Sequence, residues 1–117
     1  MNKKVSVIMS VFNGENTLEE SIESILNQTY SNLEFLIVDD QSNDKTYQIL
    51  ENYKNKDSRI KVFKNNENIG LTKSLNILLK QSKGFYIARQ DADDISTVDR
   101  LYKQIDRLNE TNRQCVT

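Results

Sequence analysis

Four times along 117 residues, a short apolar run gives way to a segment with apolar residues at helical spacing. No other feature restricts the fold as much. Val5 to Val11 is dense in β-branched and apolar residues, and Glu34 to Asp39 encloses Phe35-Leu36-Ile37-Val38. Ile60 to Phe63 and Phe85 to Ala88 are two shorter runs. Runs of this kind read as buried strands. Between them, Leu18, Ile22, Ile25 and Leu26 share one helical face, as do Tyr47, Leu50 and Tyr53. Leu71, Leu75, Leu78 and Leu79 form a third stripe, and Val98, Leu101, Ile105 and Leu108 a fourth. Cys115-Val116-Thr117 is placed to begin another strand. Strand and helix in strict alternation predict an α/β domain, a three-layer sandwich around a mostly parallel sheet.

Local signals refine the boundaries. Asn16 with Glu19 three residues later predicts a capping box at the first helix. Asp44 is a cap for the second helix, and Gly84 is placed to end the third. No repeat, linker or low-complexity tract divides the chain, so residues 1–117 read as one domain with a modest core.

Composition removes several functions. Sixteen basic and seventeen acidic residues leave a net charge of −1, with no broad cationic surface for nucleic acid. Cys115 is the one cysteine and there is no histidine, which excludes an internal disulfide, a cysteine zinc site and any Ser–His or Cys–His pair. Metal chemistry here has to use carboxylates, which select hard cations such as Mg²⁺ or Mn²⁺. Met1-Asn2-Lys3-Lys4 before an apolar stretch resembles a signal peptide only superficially, because the stretch is short and lacks a cleavage site. No segment reaches the roughly 20 apolar residues of a membrane span. The expected location is cytoplasmic.

In open parallel sheets, ligands bind at the carboxyl ends of the strands. Ser10-Val11-Phe12-Asn13, Asp39-Asp40, Asn68-Ile69-Gly70 and Asp91-Ala92-Asp93-Asp94 all fall there. In extended geometry Asp91 and Asp93 point the same way, about 6.6 Å apart, with Asp94 directed elsewhere. Two unit charges ~5 Å apart repel by on the order of 3 kcal/mol at an effective dielectric near 20. A divalent cation relieves that repulsion and admits a diphosphate; the alternative is a solvated acidic turn. An acid at Asp39-Asp40 either binds a ligand hydroxyl or belongs to helix capping. Phe12 is either a stacking surface for a base or, as the default for a lone aromatic, core. A single Gly14 after the first strand is too little for a dinucleotide fingerprint.

Taken together, Val5-Ser6-Val7-Ile8-Met9-Ser10-Val11-Phe12-Asn13, Val38-Asp39-Asp40-Gln41-Ser42 and Asp91-Ala92-Asp93-Asp94 resemble family 2 glycosyltransferases of the GT-A fold. Asn68-Ile69-Gly70-Leu71 to Asn76 and Gly84-Phe85-Tyr86-Ile87-Ala88-Arg89 fit the same order, so the likeness runs from Lys4 to about Leu108. It implies a nucleotide-sugar donor domain, with Ser10 and Phe12 lining the base pocket and Asp40 accepting the imide proton of uracil. Glu15 and Lys73 lie near the donor. Asp91 is near the ribose or a metal-bound water, and Asp93 coordinates the Mg²⁺ or Mn²⁺ that bridges the diphosphate. It further implies inverting transfer, from a UDP-sugar first, to a saccharide or lipid-linked acceptor in surface polysaccharide assembly. The acceptor half and the catalytic base are expected outside this chain, and a full-length enzyme could sit peripherally on the inner membrane face.

This sequence departs from the family pattern with Ser10-Val11 where Pro-Thr is common, Gln41 where Gly is common, and Val98 where Pro is usual. Two competing readings are a phosphoacceptor receiver domain, whose paired acids should follow the first strand, and a non-catalytic remnant.

Overall fold

A computed structural model describes residues 3–111 and 115–116. The elements alternate throughout: β1 (Val5–Val11), α1 (Leu18–Leu26), β2 (Leu33–Asp39), α2 (Thr46–Lys56), β3 (Ile60–Lys64), α3 (Leu71–Gln81), β4 (Tyr86–Arg89), α4 (Arg100–Thr111) and β5 (Cys115–Val116). The five strands form one sheet in the order β3-β2-β1-β4-β5, and every pairing is parallel. The expected tail strand is present as Cys115–Val116; Thr117, like Met1 and Asn2, lies outside the described residues.

Alternation along each strand sorts the core into two layers. Val5, Val7, Met9 and Val11 of β1, with Phe35 and Ile37 of β2, pack against Leu18, Ile22 and Ile25 of α1, Leu50 and Tyr53 of α2, and Leu101, Ile105 and Leu108 of α4. The intervening residues Ile8, Leu36 and Val38 pack on Leu78 of α3 in a smaller cluster on the opposite face. Three helices thus cover one face and one helix the other. Phe35 and Ile37 are wholly buried, a burial worth about 1.5–3 kcal/mol each. The thin layer explains why two members of the α3 stripe, Leu71 and Leu79, stay exposed. Val98 is exposed too, because α4 starts two residues after it.

Three local expectations need correction. The first helix begins after Thr17, and neither Asn16 nor Glu19 caps it. The amides of Thr17 and Leu18 donate instead to the Gly14 carbonyl at 3.1 and 2.9 Å, and the Thr17 hydroxyl is drawn to the Ala92 carbonyl at 3.0 Å. Gly84 is not the residue that ends α3; Ser82 is its C-cap. Gly84 is required by close approach, since a Cβ there would stand 2.5 Å from the Ser6 amide nitrogen and 2.6 Å from its hydroxyl oxygen. At α2 the N-cap is Lys45, one residue after the expected Asp44, although Asp44 Oδ1 accepts the Thr46 amide at 2.9 Å.

The chain runs outward from β1 to β2 and β3, then returns to the other side of β1 for β4. This reversal opens a crevice at the carboxyl ends of β1 and β4, where ligands of open α/β sheets bind.

Candidate nucleotide and metal site

Parallel pairing brings the ends of β1, β2 and β4 to one edge of the sheet. Asp40, one residue past β2, is 3% exposed. Its Oδ1 accepts from Asn65 Nδ2 and the Ile69 amide, both at 2.9 Å, and its Oδ2 accepts from the Gly70 amide at 2.9 Å. Gly70 has φ +92° and immediately precedes α3, so the carboxylate also sits at the positive end of that helix. Burial pushes the Asp40 carboxyl up, but donors from Ile69, Asn65, Gly70 and Ser74 outweigh it and hold it below the ordinary carboxylate range.

Asp39 points to the opposite face, as alternation requires. Its Oδ1 accepts the Ser42 amide at 3.0 Å, while its buried Oδ2 has no partner among the described residues. Ser10, half-buried, has the parity of Ile8 and so lies on the α3 side, as Asp40 does. Lys73 is exposed on the first turn of α3, beside the buried Ser74.

Phe12 is 49% exposed, which overturns the default of a core aromatic and leaves its ring free. Glu15 is less available: its Oε2 accepts the Lys45 amide at 3.2 Å, while its own amide donates to Asp44 Oδ2 at 3.3 Å. The Asn13 amide donates to the Ser42 hydroxyl and Asn13 Oδ1 accepts the Asn43 amide, both at 2.8 Å. Asn13 (φ 52°) and Gln41 (φ 62°) are in left-handed backbone. Strain of this kind concentrates at functional sites.

The acidic residues after β4 form a turn, not an extended strand. The Asp94 amide donates to the Asp91 carbonyl at 3.0 Å, and the closed turn corrects the expectation that Asp94 points elsewhere. Asp91, Asp93 and Asp94 each offer a carboxylate oxygen, all within 4.8 Å of one another. Arg89 pairs with Asp91 at 3.1 Å on the surface; such pairs are worth at most about 1 kcal/mol. The carboxylates of Asp93 and Asp94 have no hydrogen bond or ion pair among the described residues. An all-oxygen donor set at this spacing fits Mg²⁺ or Mn²⁺. An open cleft of about 620 Å³ adjoins the turn, lined by Asp91, Asp94, Ile95, Ser96, Thr97 and Arg100 among others.

What holds this turn escaped the sequence patterns. Its carbonyls are gripped from behind, Asp91 by the Ser21 hydroxyl at 2.9 Å, Ala92 by Thr17 and Asp94 by Gln90 Nε2 at 2.8 Å. A lone Gln ending an apolar strand directly before an acidic run was the one available signal for Gln90.

A parallel α/β sheet with a carboxylate turn beside its switch point defines a class of nucleotide-binding domains, and sequence comparison specifies the member. The profile described as Glycosyl transferase family 2 matches residues 6–117, and the chain belongs to that family. It is 50% identical over 103 residues to EpsE of Bacillus subtilis, covering 87% of this chain and 37% of that protein. It is 43% identical over 101 residues to WfaP of Escherichia coli, named a UDP-Glc:α-D-GlcNAc-diphosphoundecaprenol β-1,3-glucosyltransferase, covering 86% and 39%. Among solved structures, the mannosyltransferase PcManGT of Pyrobaculum calidifontis, in complex with GDP-Man and Mn²⁺, superposes with a TM-score of 0.84 at 25% identity, covering 91% of this chain and 32% of that one. The chain thus spans well under half the length of the relatives it matches. Family membership removes the receiver-domain reading, and Phe12-Asn13-Gly14 indeed stand where receiver acids would follow β1. No helix among the described residues is long and apolar enough to cross a membrane.

Proposed function

We propose that this chain is the donor-binding domain of an inverting, metal-dependent glycosyltransferase. It binds a nucleoside-diphosphate sugar, a UDP-sugar first, for transfer to a saccharide or lipid-linked acceptor in surface polysaccharide assembly at the cytoplasmic side of the membrane. The observation that carries the reading is the cluster of Asp91, Asp93 and Asp94 on the sheet edge that also holds Ser10 and Asp40. Asp93, Asp91 and also Asp94 would hold Mg²⁺ or Mn²⁺, which when bound supplies Lewis-acid stabilisation of the departing diphosphate.

The remaining roles fall to residues of the chain. Asp40 accepts the base imide, and the exposed Phe12 ring stacks on the base beside Ser10. Lys73 faces the donor phosphates as a cation. Glu15 contributes indirectly, by tying the β1 loop to the start of α2. Deprotonation of the acceptor hydroxyl needs a base within about 2.6–3.2 Å of it. We assign that base to a part of the relatives that this chain does not match. WfaP's printed donor and acceptor support the UDP-sugar and lipid-linked assignments, and the Mn²⁺ with PcManGT supports the metal.

Calorimetric titration of the full chain with UDP, GDP, CDP and dTDP, with and without Mn²⁺, tests the reading. Expected is a preference for UDP and an affinity that rises with Mn²⁺. Failure of every nucleotide to bind would leave a non-catalytic remnant of the fold.

A further inference from the structure

We infer that Gln90 and Arg100 are positioning residues for the acidic turn, fixing its three carboxylates at the spacing a divalent cation needs. The inference rests on the function proposed above, but concerns side chains that this function does not use.

Gln90 is 2% exposed at the end of β4, yet every hydrogen-bonding site of its amide is filled. Nε2 donates to the Ser21 hydroxyl at 3.0 Å and to the Asp94 carbonyl at 2.8 Å. Oε1 accepts from the Ser96 hydroxyl at 2.7 Å and from Arg100 Nη1 at 2.9 Å. One buried side chain thus joins α1, the acidic turn and the start of α4. Arg100 extends the hub: Nη2 donates to the Arg89 carbonyl at 2.8 Å, Nη1 also to Ser96 at 3.1 Å, and Nε to Gln104 at 3.2 Å.

All the acceptors of Arg100 are neutral. Among the described residues it forms no ion pair, although Asp91 and Asp94 are near enough to act on its charge. A guanidinium beside an acidic turn, bonded to the backbone on one flank of that turn and to the amide that grips the other, acts as a brace. Only a planar fork reaches these acceptors together; an ammonium does not. A fully satisfied buried network rigidifies what it touches. The turn therefore keeps its carboxylates together before a metal arrives, despite their repulsion.

Charge and geometry oppose each other here. Removing the Arg100 charge would by itself favour a cation, so the useful variants keep the charge and change the geometry. These are Arg100→Lys and Gln90→Leu. The experiment titrates UDP into the full chain at a series of Mn²⁺ concentrations, with metal-free uridine binding and melting temperature measured in parallel. Loss of residues that support metal ligands typically costs 10–100-fold in metal affinity. Expected is a rise of about 10-fold or more in the Mn²⁺ concentration for half-maximal UDP binding in each variant, with uridine affinity unchanged. A merely structural role would lower the melting temperature and leave that Mn²⁺ midpoint where it was, which overturns the inference. Should Gln90→Leu fail to fold, Arg100→Lys and Ser96→Ala carry the same test. A wild-type chain indifferent to Mn²⁺ removes the proposed function and this inference together. Wild-type dependence that persists unchanged in the variants removes the inference alone.

Discussion

Two groups of acids stand on the same sheet edge and are treated in opposite ways. Asp40 is buried, with two backbone amides and the Asn65 side chain closed on its carboxylate. Asp93 and Asp94 are exposed, their carboxylates left to solvent while the backbone beneath them is held by Thr17, Ser21 and Gln90. At Asp40 the protein supplies the compensation itself. At the turn it fixes the frame and leaves the charge unmet. A carboxylate satisfied by its own fold recognises a neutral ligand edge with what capacity remains, whereas a preset cluster of unmet carboxylates attracts a cation. The proposed division, base recognition in one region and the metal in the other, rests on this contrast.

The largest effect that can break this contrast is on stability. Asp40→Ala strands the Ile69 and Gly70 amides and Asn65 in a buried place, and each unmet donor costs about 1–3 kcal/mol. The expected loss is on the order of 3–5 kcal/mol in urea unfolding, a large part of the stability of a domain this size. Asp93→Ala removes one of three mutually repelling charges and should leave stability unchanged or slightly raised. Equal losses in the two variants would mean that the turn is structural as well.

Binding reverses the order. With UDP and Mn²⁺, Asp93→Ala should weaken the metal-dependent affinity by more than about 100-fold, the scale for losing a metal ligand and not merely its support. Metal-free uridine binding should survive that change. Asp40→Asn should do the opposite, weakening uridine with or without Mn²⁺. Isothermal titration of both variants separates the roles, and a metal-dependent defect in Asp40→Asn would merge them.

Acid sharpens the contrast further. Asp40 titrates below its unfolded value, so its contribution to stability is complete above about pH 4 and is lost as pH falls through its lower folded value. Glu34 behaves likewise at the opposite end of the sheet. Burial raises it, but Ser6, the Lys83 amide and Lys61 outweigh that and hold it down. The stability difference between wild type and Asp40→Asn should therefore shrink as pH drops below about 4, leaving the slope due to Glu34.

How much of this was legible depended on sequence separation. The strands and helices were, because burial on both faces of a strand leaves a continuous apolar run within seven residues. That Asp40 and Asp93 share an edge was legible as well, since parallel strands align their carboxyl ends. Bonds between distant segments left no such trace. Gln90 reaches Ser21 across 69 positions and Gly84 reaches Ser6 across 78, and no local periodicity encodes either. Asn16 and Glu19 had the spacing of a capping box, but Thr17 was claimed by Ala92 from 75 residues away. Asp94 was misplaced for a more local reason: alternation holds only while the strand continues, and here the chain turns after Asp91.

The smallest expected effect concerns Gln41, the residue just past Asp40. Its φ of 62° explains why Gly is common there in the family, since a left-handed conformation costs a non-glycine residue roughly 1–2 kcal/mol. Gln41 is exposed, so shortening it removes no buried contact. The gain is partly offset by the greater backbone freedom of glycine in the unfolded chain, about 0.5–1 kcal/mol. Gln41→Gly should therefore stabilise the fold by about 0.5–1 kcal/mol, a few degrees in melting temperature for a domain this size. No residue of the 91–94 turn has a positive φ, so the backbone strain of this edge lies on the side assigned to the base. If that strain only reflects a substitution tolerated in this chain, uridine affinity in Gln41→Gly stays within about twofold of wild type. A stabilised variant that binds uridine tenfold more weakly would show instead that the strained backbone aims Asp40, and that stability at this position was given up for recognition.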